Sequence, residues 1–141
     1  MARIEFDGAD LMDDLKNIMD LPDEVLQNML DAEADVVVEA QKDEIEKLGL
    51  EDTGQLKESI ARTQKMKVSN TGYGKYIEIY PQGTRKDGVR NAEVGFIHEF
   101  GAPHKGIAAK NWMNNANDKS ADEAIAAAES VYDNFLKKNN L

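Results

Sequence analysis

From Pro22 to Gly49 the chain holds one long stretch of helical spacing, and it limits what the rest can fold into. Leu26, Met29, Val37, Ala40, Ile45 and Leu48 trace a broad apolar face. Asp23, Asp31, Asp35, Asp43 and Glu46 lie mostly off that face. Pro22 suits a first helical turn, Asp20 stands nearby as a cap, and Gly49 is a natural stop. A helix of this length spans about 40 Å, roughly the width of a small domain. It is expected to run the length of any core that forms against it, with an end that projects towards a partner. Val36, Val37 and Val38 cannot all face one core, which predicts burial on a second side.

The remaining segments are shorter. Ile4 and Phe6 alternate like a strand, and Leu11, Leu15, Ile18 and Met19 recur like a short helix. Asp52 or Thr53 is placed to cap a turn that turns Leu56 and Ile60 inward. Arg62–Ser69 and Tyr73–Tyr80 read as strands about the turn Asn70-Thr71-Gly72, and Ala92–His98 as a third strand of the same meander. Between them, Pro81–Asn91 reads as a basic hairpin loop, and Ala102–Lys110 is irregular. Ser120 and Glu123 have the spacing of a capping box for a last helix with Ile125, Ala128, Tyr132, Phe135 and Leu136 inward. Lys137 and Lys138 suit the negative end of that helix. The expected fold is therefore α+β, one domain over residues 1–141. A small antiparallel sheet of three to four strands packs with a long N-terminal helix and a C-terminal helix.

Composition narrows the function classes. With no Cys, disulfides and thiolate metal sites are excluded, and a reducing compartment fits. The first residues carry acids where a signal peptide needs an apolar stretch, and no apolar run is long enough to span a bilayer. The expectation is a protein that stays in the cytoplasm where it is made, with no membrane partner. The net charge of −10 is unevenly spread. Residues 1–58 hold 18 acids and 5 bases, residues 59–91 hold 2 and 7, and residues 92–141 hold 7 and 5. That division describes a solvated acidic helix beside a basic hairpin. It equally suits copies that pack acidic surface against basic loop.

Chemistry finds little to work with. His98, Glu99 and His104 lack the spacing that sets two His around zinc, and no third ligand is evident. On a strand His98 and Glu99 would point to opposite faces, a poor acid–base pair. Ser59 and Ser69 have no nucleophile-elbow context, and Gly72-Tyr73-Gly74 reads as a turn rather than a phosphate loop. Lys65, Lys67, Lys75, Arg85, Lys86 and Arg90, interleaved with Tyr73, Tyr76 and Tyr80, could touch phosphates. The acidic balance of the chain opposes tight autonomous DNA binding. Trp112 reads first as a core anchor and second as an interface residue. No catalytic residue, metal or cofactor is expected.

Two strings stand out, Thr53-Gly54-x-Leu56-x-x-Ser59-Ile60 and Glu99-Phe100-Gly101, and in them the chain resembles the phage head–tail joining and tail-completion proteins, a family of minor tail and neck components. Thr53, Gly54, Leu56, Ser59 and Ile60 match a Thr-Gly-x-Leu-x-x-Ser-Ile string that follows the family's long first helix. Glu99, Phe100 and Gly101 match the Glu-aromatic-Gly that ends a strand in the family, and Ala109–Ala116 approximates the segment leading into the last helix. Where the family has Arg-Pro-aromatic, this chain has Lys110-Asn111-Trp112-Met113. The resemblance implies a virion component at the head–tail junction, a homo-oligomeric ring through which DNA passes. Its partners would be portal or connector proteins and tail tube or tail terminator proteins, with transient, non-specific contact to DNA. Arg85, Lys86, Arg90, Glu99, Phe100, Gly101, His104 and Trp112 are the expected interface residues. The competing readings are an acidic DNA mimic that inhibits a host DNA-binding protein, and a small hydrolase built on His98 and Glu99.

Overall fold

A computed structural model describes residues 21–50, 54–72 and 74–139. The strand expected at Ile4 and Phe6, the helix expected over Leu11–Met19, and the caps assigned to Asp20, Asp52 and Thr53 lie outside the described residues.

Pro22 opens helix α1, Asp23–Leu48, and its carbonyl accepts the N–H groups of Val25 and Leu26. Asp23 and Glu24 occupy the first turn and Lys47 the last, the arrangement the helix dipole favours. Gly49 ends the helix at φ 60°, donating to Glu46 while Leu50 donates to Ile45. Helix α2, Gln55–Ser59, is entered through Gly54 at φ 75°. Leu56 within it and Ile60 just after it are both buried, as their spacing predicts.

The sheet is smaller than expected. Strands β1 (Ile60–Arg62) and β4 (Ile79–Pro81) pair antiparallel, and inside them β2 (Lys67–Val68) pairs with β3 (Lys75–Tyr76). Together they make one hairpin about the Asn70-Thr71-Gly72 turn, broken in the middle. Thr63 still faces Glu78 and Lys67 faces Tyr76, so residues 64–66 stand opposite Ile77 alone. That bulge is held from α1: the Gln27 side chain accepts from Met66 N–H at 2.9 Å and donates to the Gln64 carbonyl at 3.2 Å. Arg62 adds ion pairs to Asp31 and Asp35, and Lys75 one to Asp23, so the hairpin lies along the first half of α1.

The third strand is absent. Ala92–His98 belongs to helix α3, Asn91–Phe100, which ends at Gly101 with φ 76°. The capping-box reading also fails, because helix α4 spans Trp112–Lys138 and Ser120 is buried well inside it. Helices α1 and α4 run antiparallel: Gln41 donates to Asn117, Glu44 meets Asn115 and Lys119, and Glu33 shares a cleft wall with Ala124 and Ile125. Ile45, Leu56, Ile60 and Trp112 form the core, with Val38, Leu50, Ile79, Val94 and Met113 around it. The architecture is α+β, a small antiparallel hairpin and two short helices, α2 and α3, flanked in the chain by two long helices. No helix among the described residues is long and apolar enough to cross a membrane.

Candidate functional site

Helix α3 turns its small and polar residues inward. Asn91, Gly95 and Glu99, spaced by one helical turn each, are its buried residues. A β-carbon on Gly95 would lie 2.9 Å from Pro81 Cγ and 3.2 Å from Trp112 Cζ2, so only glycine lets the helix approach the core this closely. The Trp112 indole N–H donates to the Gly95 carbonyl at 3.0 Å, fixing α3 to the start of α4. Asn91 donates its side-chain amide to the Gln82 carbonyl and anchors the other end.

The outward face carries the large apolar side chains. Phe96 and Phe100, one turn apart, are each 62% exposed, and their ring centroids lie 4.7 Å apart. Ile97 on the same helix and Ile107 in the following loop are also exposed. A soluble helix ordinarily buries such residues and shows its polar ones to water. Here the pattern is reversed.

The Glu99-Phe100-Gly101 string now resolves into three separate roles. The Glu99 carboxylate, 6% exposed, accepts from Met113 N–H at 2.6 Å and from Asn114 N–H at 3.1 Å. It caps the N-terminus of α4, supplying acceptors to donors the helix cannot satisfy itself. Phe100 is displayed. Gly101 makes the exit turn, where a β-carbon would strike the backbone of Ala109 at 2.7 Å and of Ile107 at 2.8 Å. The loop beyond it folds through the Ala102–Ile107 bridge and the 3₁₀ turn Pro103–Lys105, which exposes His104. Lys110 and Asn111 then donate to the His98 and Glu99 carbonyls.

Asn111 precedes α4 at φ 51°, a conformation closed to proline, whose ring fixes φ near about −65°.

Of the expected interface residues, two belong to the interior. Trp112 is 0% exposed in the core, and the buried Glu99 carboxylate caps helix α4. The basic loop is a compact turn in which Thr84 pairs with Arg90 and Arg85 N–H donates to the Val89 carbonyl. Lys86 is exposed, Arg90 pairs with Glu93 at 2.7 Å on the surface, and Arg85 is half-buried with its Nε inside. Phe96 was not among the expected residues. Its signal was the one-turn spacing to Phe100, which matters only once the segment is read as a helix.

The Glu99 carboxylate is committed to two backbone N–H groups of α4. Among the described residues no three His, Asp or Glu side chains converge on a metal-binding position. A cleft of about 550 Å³, lined by both apolar and polar side chains, lies between α1 and α4. Comparisons with protein-family models, curated proteins and solved structures return no match.

Proposed function

We propose that this chain is a structural component of a tailed phage or prophage virion, acting at the head–tail junction as one copy of a ring that lets DNA pass. The observation that carries the reading is the reversed helix α3. It places Phe96 and Phe100 in water and spends its inward face on a glycine, an asparagine and a capping carboxylate. Exposed, rigidly mounted aromatic pairs of this kind serve contact with another macromolecule. Two further points support it. The order of long first helix, small antiparallel sheet and last helix is the order the family resemblance implies, although helix α3 stands where that resemblance implies a strand ending in Glu-aromatic-Gly. Of the matched residues, Gly54, Leu56, Ile60, Glu99 and Gly101 have definite tasks in the fold, and Phe100 is displayed.

The DNA-mimic reading is weaker, because many acids of α1 are matched within the chain. Asp23, Asp31, Asp35, Glu44 and Glu46 pair with Lys75, Arg62, Lys119 and Lys57. A mimic needs its acids free along one face. Affinity capture from infected or prophage-induced cells tests the proposal. Recovery of portal or tail proteins is the expected result, and recovery of a host DNA-binding enzyme in their place would overturn it.

A further inference from the structure

The cleft between α1 and α4 is floored by Val37, Ile79, Met113, Ala121 and Ile125, and rimmed by Glu33 and Asp118. Its volume, about 550 Å³, exceeds what two phenyl rings need, since a cavity of about 150 Å³ already holds benzene. Its wall also contains Gln41, 1% exposed, whose amide donates to Asn117 while its Oε1 has no hydrogen-bond partner.

We infer that this cleft receives the Phe96–Phe100 face of helix α3 from a second copy of the chain, helix in groove. The patch and the cleft share no residue, so one copy can offer its patch to a second while its cleft receives a third, a heterologous contact that repeats from copy to copy. Two aromatic anchors one helical turn apart, entering a groove between two helices, follow a common mode of helix recognition. Charge favours this occupant. α1 carries nine acids against two bases and α4 five against three, whereas residues 84–110 carry five bases against three acids, one of them the buried Glu99. Burial also pushes the Glu33 carboxyl above its ordinary value, and a cation brought by the incoming loop would relieve that cost. The inference rests on reading the chain as an assembling subunit and names the two surfaces that meet.

The experiment uses the full chain. Phe100 is replaced by the photocrosslinker p-benzoylphenylalanine, heavy- and light-isotope copies are mixed, and adducts are mapped by mass spectrometry. The expected result is mixed-isotope adducts on residues 33–41 and 113–125. Adducts within one copy, residues 1–20 included, or on any other surface would overturn the inference, as would no adduct at the highest soluble concentration. A complementation arm adds a second readout. Phe96→Ser with Phe100→Ser destroys only the patch, and Ala121→Arg destroys only the cleft, each checked for an unchanged melting temperature. Each alone should weaken self-association about tenfold or more, the scale of an aromatic hot spot. Mixed together, they should form dimers that go no further. Self-association insensitive to either variant removes this pairing of surfaces while leaving the subunit reading intact. Proper junctions built without the protein remove the reading itself.

Discussion

At Gly95 the packing leaves no space for a methyl group, and the fold depends on that. Alanine is the better helix former by about 1 kcal/mol, but its β-carbon would press on Pro81 and Trp112. Overpacking of this kind costs roughly 1–3 kcal/mol. Gly95→Ala is therefore expected to lower stability on balance, measured by urea denaturation, whereas Gly→Ala at an open helical site would raise it. Glu99 is decisive in a different way. Removing its carboxylate leaves the Met113 and Asn114 N–H groups without acceptors inside the protein. Glu99→Ala should cost about 2 kcal/mol, and Glu99→Gln, which retains one acceptor oxygen, about half that.

Among the elements, what could be read from the sequence followed the reach of local signals. The long helix α1 was legible because its apolar period, its proline and its glycine agree with one another. The hairpin turn was legible from Asn70-Thr71-Gly72, but the bulge at residues 64–66 was not, since its backbone groups are satisfied by Gln27 from another element. The start of α4 was misplaced for the same reason: its cap comes from Glu99, while Ser120 and Glu123 mimic a cap inside the helix. Helix α3 was read as a strand because Val94–Ile97 is a short apolar run, and such runs do not distinguish strand from helix. The inward residues Asn91, Gly95 and Glu99 do recur at helical spacing, but a search for apolar periodicity passes over them. The element whose pattern contradicts its fold is the one that displays the candidate interface, as expected when selection acts on a surface rather than a core.

Over the whole molecule, charge both holds the two long helices and marks their outer surfaces. Glu44 is buried between them, and the hydrogen bond from Lys119, with its positive charge, holds the Glu44 carboxyl below its ordinary value of 4.5. A depressed carboxylate contributes stability that is complete above the ordinary value and lost as pH falls through the depressed one. Lys119→Met should thus be less stable than the unaltered protein at neutral pH. The gap should close at pH below the ordinary carboxylate range, read from melting temperature against pH. On the outer surface, reversing Lys86 and Arg90 should weaken assembly without unfolding the subunit. Arg85 is left out because its half-buried side chain would add a folding defect. An oligomer unchanged by that double reversal in sedimentation would remove the basic loop from the interface.

The central claim is that this chain works by being held between copies of itself and the parts of a virion. Electron microscopy of particles produced without its gene tests that claim most directly. DNA-filled heads accumulating beside unattached tails is the predicted result. Intact, infectious particles in normal yield would contradict the account.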